Sequence, residues 1–398
     1  MTELRRLKIS LITHEIGANL MRARSIAAIL LKNYDVEVIV PALPEDEFIT
    51  DYFEGLALTS HKVKARAYPG FIRTSREIRQ AITGDIIYAL KLRPSTYGVA
   101  LLERLASKRP VLLDVDDWEQ YMCHPYSKHW AKNFLQSLPR IADPNSFIHT
   151  WAIEHFARFA NQITNVSHFF QRRYGGVLLP NGCNTVAFNP AQYNREQLRR
   201  EWGVEGQKVV MFVGTPDPYK GIIEVAEAIQ RVNRPDLKLV IVGRHTETVD
   251  KLLEQKNVVY WGMHPPHCSP QFLSMADMVV LPQAQLPHTA GQMPMKLFEA
   301  MAMGLPLIAT SIADIEAVLD GCGLVVDNNQ PETLAQKINW ILENPDQSLT
   351  MGRAARARCE NLYSWNAMER VLDEVIAPYA QQVSNRGVHL ERKQNLEY

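Results

Sequence analysis

The stretch QMPMKLFEAMAMGLPLIAT, residues 292–310, reads as a helix delivered into a strand. Pro294 suits the first helical position, where its missing N–H would have had no partner anyway, and Gly304 with Pro306 stops the helix. LPLIAT at 305–310 is then a short apolar run bounded by breakers, the pattern of a buried parallel strand. A helix that feeds such a strand is half of a βαβ unit, and its N-terminus presents the positive end of a dipole to any phosphate nearby. Glu299 lies about one turn inside, either as a solvated surface charge or as a carboxylate accepting hydrogen bonds from a ribose diol.

Working upstream, VVMFVG at 209–214, a helix at 221–232, LKLVIVG at 237–243, a helix at 247–255, VVYWG at 258–262 and MVVLP at 278–282 keep the same alternation. That rhythm predicts a parallel sheet with helices on both faces. In the loop FVGTPDPYKG at 212–221, Gly214 lets a ligand approach the backbone, and Lys220 offers a compact positive charge for phosphate. The plainer reading of the same loop is a strand-to-helix turn with an exposed lysine.

A second alternation opens the chain: LKISLI at 7–12, a helix around 18–32, VEVIVP at 36–41, DIIYAL at 85–90, a helix around 96–106 and VLLDVD at 111–116. The segment 118–150, rich in aromatics, His and Pro, breaks this rhythm as an insertion would. LLPNGCNTVAFNPAQY at 178–193 carries the turn residues of a hinge. The expected division is a Rossmann-like N-terminal domain over 1–182, a second over 183–383, and a mobile tail over 384–398, where apolar periodicity is lost.

Composition is that of a folded globular protein: 398 residues, 46% hydrophobic and 22% charged, with a formal net charge of zero. The balanced charge removes the long-range field of a general nucleic-acid binder, so no nucleic-acid partner is expected. Cys123, Cys183, Cys268, Cys322 and Cys359 are odd in number and widely spaced, as in a reducing cytoplasm. MTELRRLKISLIT reads as a first strand, not a signal peptide, and no run reaches the ~18–20 apolar residues that cross a bilayer. The expected location is cytoplasmic, with any membrane contact peripheral on the inner face.

Taken in order, LLPNGCNTVAFNP, FVGTPDPYKGIIEVAEAI, KLVIVG and PMKLFEAMAMGLPLIATS resemble the motif series of the retaining nucleotide-sugar glycosyltransferases of the GT-B fold, glycosyltransferase group 1. GANLMRARSIAAILLKNYDVEVIVP and TNVSHFFQRRYGG extend the resemblance over most of residues 8–380; it is weakest at 42–75 and 118–150. It implies an α/β chain of two Rossmann-like domains facing across a cleft, with the C-terminal helix packed back on the N-terminal domain. It also implies transfer of a sugar from a UDP- or GDP-linked donor to a hydroxyl acceptor, with retention of configuration and with no metal or other cofactor. The acceptor class stays open among lipid-linked sugar, polysaccharide, polyol and protein.

Residue by residue, the resemblance places Lys220 at the donor diphosphate and Glu299 at the nucleotide ribose. Pro294, Met295, Lys296 and Leu297 form the phosphate-facing helix start, Gly262 and Met263 line the nucleobase pocket with main chain, and Gly17 belongs to the N-domain loop that faces the donor. With no protein nucleophile required, catalysis rests on alignment and on cations that offset the leaving diphosphate.

This chain departs from the pattern at three places. Gly291 stands where many relatives have a second glutamate, and Thr215 stands where many have an arginine, for which Arg244 at the end of LKLVIVGR is the substitute candidate. Where many have a histidine after the third strand, this chain has DIIYALKLRPS. Lys91 is the charged residue there, and with Asp116 and Asp117 of LLDVDDWE it either lines the acceptor side or has a structural role at the strand ends.

Between His61 and Arg93, eight basic residues face two acidic ones. Arg73, Arg76 and Arg79, spaced by three, predict a basic amphipathic helix, either a solvated face or one that meets anionic lipid. His264, His267 and Cys268 in MHPPHCSP lack a fourth ligand and are not read as a metal site. Gln283 and His288, in the loop before residue 294, are placed by position alone at the donor sugar. The competing readings are a non-catalytic sugar-nucleotide or partner-binding member of the same fold and a sugar-nucleotide epimerase. A nicotinamide enzyme is disfavoured, because no strand leads into Gly-x-Gly-x-x-Gly.

Overall fold

The computed structural model describes residues 6–14, 20–43, 52–124, 127 and 129–394, of which 383–394 are described as backbone only. By contacts the chain divides into two units, Met1–Pro180 with Met368–Tyr398, and Asn181–Ala367.

The first unit is a seven-stranded parallel sheet: β1 (Lys8–Ile12), β2 (Asp35–Ala42), β3 (Thr59–Lys64), β4 (Ile86–Leu90), β5 (Val111–Val115), β6 (Gln162–Asn165) and β7 (Val177–Leu178). Their order is β3-β2-β1-β4-β5-β6-β7, so the direction of winding reverses between β1 and β4. That is the doubly wound Rossmann arrangement expected from the alternation of apolar runs and helices. β4 and β5 are buried along their whole length, as strands covered by helices on both faces must be. β3, reading TSHKVK, escapes the apolar pattern because it is an edge strand in which Val63 alone is buried.

The C-terminal helix, Trp365–Gln394, joins the first unit from Met368 onward. Leu372, Val375 and Ile376 form its buried stripe, Lys32 Nζ lies 2.6 Å from Glu369, and Tyr379 Oη donates to the Asn161 carbonyl at 2.6 Å. The resemblance implied that the C-terminal helix packs on the first unit, and it does so from Met368; the domain boundary accordingly falls at 367 and not at 383, and the expected tail from 384 continues as helix to Gln394. The apolar stripe ends before the backbone helix does, which is why the pattern was lost too early.

The second unit has β8 (Lys208–Val213), β9 (Leu237–Val242), β10 (Val258–Tyr260), β11 (Val279–Leu281), β12 (Leu307–Thr310) and β13 (Leu324–Val326). Two ladders, β10-β9-β8 and β11-β12-β13, are joined by a parallel bridge between Val210 and Met278. The winding therefore reverses between β8 and β11, again the Rossmann order. Val210, Phe212, Leu239, Ile241 and Ile308 from the strands and Ile222, Val225, Ile229, Leu334 and Ile338 from the helices form its core. Cys183, Cys322 and Cys359 are buried in this unit and all five cysteines are unbridged.

Candidate functional site

In the second unit, β8, β9 and β10 run out side by side at Gly214, Gly243 and Gly262. Gly214 N–H donates to the Val242 carbonyl at 2.7 Å, and Gly243 N–H to the Gly262 carbonyl at 2.8 Å. Any Cβ on Gly243 would stand 2.0 Å from the Gly214 carbonyl oxygen, so the close approach of β8 and β9 requires glycine there. The result is a backbone-lined edge at the carboxyl ends of the strands, where open α/β sheets take their ligands. One residue further along, Arg244 and Met263 are exposed; Met263 retains 66% of its accessible surface.

The β8 loop closes through a short helical turn, Pro218–Lys220. Lys220 is partly buried, with Nζ donating to the Thr215 carbonyl at 2.9 Å and pairing with Asp217 Oδ2 at 2.6 Å. At position 215 the backbone, not a side-chain cation, therefore addresses this lysine.

The helix Met295–Ala302 begins one residue later than expected: Pro294 is its N-cap, in extended conformation, and Met295 its first residue. Asn181 Nδ2 donates to the Met293 carbonyl at 2.6 Å, tying the Pro-Asn-Gly turn to the helix entrance. From the first turn Lys296 folds back beneath Gly214 and sets its ammonium 4.0 Å from the centroid of the Phe212 ring. Burial drives the Lys296 ammonium well below its usual pKa, Lys220 adds to this, and Glu299 and Asp217 oppose it. Burial pushes the Glu299 carboxyl up to about 7 despite Lys296. Phe212, Leu273, Leu281, Lys296 and Glu299 line one small pocket. Gly214, Lys220, Lys296 and Glu299, named from widely separated motifs, are thus brought together.

Gln283 and His288, read by position as neighbours of the donor sugar, are both buried. Gln283 is buried and donates to Gln292 Oε1 at 2.6 Å, while His288 is fully buried with its ring edge-on to Tyr219 at 4.8 Å. His264 packs against Phe272 with ring centroids 4.8 Å apart, and its Nε2 lies 2.9 Å from the Trp261 carbonyl.

The first unit holds a second cluster of chemistry at the carboxyl ends of β4 and β5. Lys91, buried and with φ of 83°, sets Nζ 2.9 Å from Asp116 Oδ1 and 3.6 Å from Glu119 Oε1, and pairs closely with Asp117. Arg93 pairs with Glu119. Burial works against the Lys91 charge, but Asp116, Asp117 and Glu119 outweigh it and hold its pKa above the usual value. Asp116 is pushed up to about 7, by burial first and then by Asp117 and Asp114, with Lys91 opposing. The carboxylates of Asp116, Asp117 and Glu119 lie within 4.8 Å of one another, a spacing that suits a divalent ion. The Lys91 ammonium already pairs with all three, so the group does not fit a metal.

Further members escaped the sequence reading. Arg22 makes a two-pronged pair with Asp114, at 2.6 and 2.7 Å, and donates to the Leu179 carbonyl at 3.0 Å. His14, at the end of β1, lies 3.3 Å from Ser95 Oγ; burial, with Arg93 and Lys91, holds its pKa well below the usual value. Lys-x-Arg at 91–93 facing Asp-Asp-x-Glu at 116–119 on the neighbouring strand was the signal for Arg93 and Glu119; His14 and Arg22 had none, being isolated in sequence. Gly17 lies outside the described residues.

Residues 194–358 match the family of glycosyl transferases group 1. The chain is 30% identical over 207 residues to alpha-maltose-1-phosphate synthase of Mycolicibacterium smegmatis, 46% of this chain and 52% of that protein. It is 26% identical over 250 residues to the GDP-mannose-dependent alpha-(1-6)-phosphatidylinositol monomannoside mannosyltransferase of the same organism, 57% of this chain and 64% of that one. The chain thus spans about half to two thirds of the length of these curated relatives. Among solved structures, Anabaena Alr3699/HepE in complex with UDP and glucose superposes with a TM-score of 0.73 at 17% identity, covering 93% of this chain and 99% of that one. At that identity the likeness speaks to fold, and the fold is the two-unit GT-B α/β arrangement.

Proposed function

We propose, from a chain whose residues 194–358 match the group 1 glycosyl transferases, that this protein transfers a sugar from a nucleoside-diphosphate sugar to a hydroxyl acceptor. The observation that carries the reading is the convergence of Gly214, Lys220, Lys296 and Glu299 at the strand ends of one Rossmann-like unit. Lys220 and Lys296 supply positive charge for the diphosphate; burial lowers the pKa of Lys296, and an arriving diphosphate works against that shift. Glu299 receives the ribose diol. Met263 and the main chain at Gly262 flank the base, and Arg244, exposed beside them, reaches the phosphates from solvent.

The relatives named above use GDP-mannose in one case and bind UDP and glucose in the other, so UDP and GDP are the donor nucleotides to test first. Departure of the diphosphate is assisted by these cations in place of a metal, and the acceptor hydroxyl enters on the face from which the diphosphate leaves, retaining configuration. Lys91 and Asp116 serve the acceptor side, positioned by the ion-pair cluster before any substrate arrives.

The test is a thermal-shift and calorimetric panel with UDP, GDP, ADP, their sugar conjugates and NAD. Selective stabilisation by one nucleoside diphosphate, followed by turnover of its sugar conjugate in the presence of EDTA, is the expected result. Binding without turnover on any acceptor class would favour the non-catalytic reading; no binding at all would overturn the donor site.

A further inference from the structure

Which ligand the carboxyl ends of β1, β4 and β5 can receive is decided by the groups already standing there. The strand order reverses between β1 and β4, and an open α/β sheet takes its ligand in the crevice at such a reversal. His14 lies just beyond β1, Lys91 beyond β4 and Asp116 beyond β5. The cluster therefore stands at that crevice.

Among the described residues, the cations of this cluster are all paired. Lys91 faces Asp116, Asp117 and Glu119, Arg93 pairs with Glu119, and Arg22 makes its two-pronged pair with Asp114. Arg173, whose guanidinium lies 4.6 Å from the centroid of the Trp118 ring, pairs with Glu154 at 2.6 Å. His14 is neutral near pH 7, because burial, Arg93 and Lys91 hold its pKa well below the usual value. The side chains of Asp116 and Asp117 are 13% and 12% exposed, so the cluster opens to solvent through carboxylates. An arriving phosphate would meet like charge there, with each of these cations already held by a carboxylate.

Hydrogen-bonding capacity is left over on the same segment, and most of it accepts. Asp116 Oδ1, Glu119 Oε1 and Gln120 Oε1 are buried oxygens that receive no hydrogen bond; the first two face the Lys91 ammonium at 2.9 and 3.6 Å without hydrogen-bond geometry. Trp118 Nε1 is a buried donor without an acceptor. Glu119 and Gln120 are only 4% and 5% exposed, and buried polar atoms of this kind ordinarily have partners. Asp114 shows the contrast, accepting from Arg22 and from Thr164 Oγ1 at 2.6 Å, all within the fold. Three acceptors and one donor complement a ligand rich in hydroxyl groups, which donate as well as accept. A phosphate dianion, which only accepts, is the wrong complement.

We infer that the acceptor is a neutral polyhydroxylated ring, a sugar or cyclic polyol with no phosphate or carboxylate beside the reacting hydroxyl, and that Asp116 and Asp117 bind its diol. This selection deepens the transferase reading above and rests on it for the role of the site. The Lys91 ammonium holds the two carboxylates side by side; releasing it would open the site to anions.

The experiment is saturation-transfer NMR on the full chain without nucleotide, comparing myo-inositol and methyl α-D-glucopyranoside with myo-inositol 1-phosphate and glucose 6-phosphate. Nucleotide release from the responsive sugar donor is then measured with each as acceptor. The neutral pair is expected to bind, and the phosphorylated pair to bind about tenfold more weakly. Asp116→Asn and Asp117→Asn should each weaken binding of the neutral rings about tenfold and, by releasing Lys91, raise the phosphorylated-to-neutral ratio. A role confined to folding would weaken both kinds of ring together and leave that ratio where it was; thermal melting identifies a variant that does not fold, and the other then carries the comparison. Absence of binding by the neutral pair, phosphorylated rings bound as tightly, or a ratio unmoved by substitution overturns the proposal. Turnover that prefers phosphorylated acceptors would overturn it and leave the transferase reading standing, whereas neutral rings bound by a chain that binds no nucleotide would keep the selection and remove the transferase.

Discussion

Gly214 and Lys296 meet so closely that a Cβ built on Gly214 would stand 2.6 Å from Lys296 Cε and 2.8 Å from its Nζ. The first strand of the second unit and the helix that begins after Pro294 are locked together by this contact, and the φ of 126° at Gly214 is one that L-residues rarely adopt. The lysine is thereby held over the Phe212 ring, on the same wall of the pocket as Glu299.

Gly214→Ala is therefore expected to lose about 1–3 kcal/mol of stability through backbone strain alone, and to displace Lys296. Urea unfolding measures the first effect and nucleotide calorimetry the second. A variant as stable as the parent that binds nucleotide equally well would show that neither the backbone nor the lysine is constrained as described.

Lys220 is pre-positioned by the Thr215 carbonyl and Asp217, so its removal deletes one charge-assisted contact without disturbing the core. Lys220→Ala should weaken binding of the preferred nucleoside diphosphate by about 1.5–3 kcal/mol, roughly 10- to 150-fold in Kd. The free nucleoside should bind as before. Calorimetry with the two ligands separates a phosphate contact from a general loss of structure.

Most of the fold was legible because central parallel strands are apolar on both faces and their helices are bounded by Gly, Pro and Asn. β3 was not, because an edge strand carries lysines and histidine where a core strand carries valine. Lys220, Lys296 and Glu299 were legible as motif members, but the turning of Lys296 under Gly214 was not, since nothing in one sequence fixes the direction of a lysine. His14, Arg22 and Asp114 share the same difficulty: their partners lie 81, 92 and 92 positions away.

Lys91 shows how such a cluster reports on itself. Lys91→Met leaves Asp116, Asp117 and Glu119 facing one another without their central ammonium, and breaking a buried ion pair in this way costs about 3–5 kcal/mol. Asp116→Asn removes one like charge and keeps the shape, so it should be tolerated in stability while lowering transfer to the acceptor. Thermal melting and turnover of both variants make the comparison; an unstable Asp116→Asn protein would mean that the Asp116 charge is needed for folding.

The last prediction concerns pH. In the folded chain the Glu299 carboxyl titrates near 7, while its ordinary value is 4.5. Between those values the folded state holds the proton more often than the unfolded state, so stability falls as pH rises from about 4.5 to about 7 and is level beyond. Asp116, also pushed up to about 7, contributes a slope of the same sign, which makes the difference between parent and variant the informative quantity. Glu299→Gln should flatten its share of the slope and leave the protein more stable than the parent at pH 8. Binding moves the other way, because a ribose diol donates to an ionised carboxylate. Nucleoside affinity of the parent should weaken by up to about tenfold for each pH unit below 7, and Glu299→Gln should bind weakly at every pH. A parent whose affinity is flat across this range, with a variant that binds as tightly, would remove Glu299 from the ribose and leave it as a buried carboxyl without a ligand.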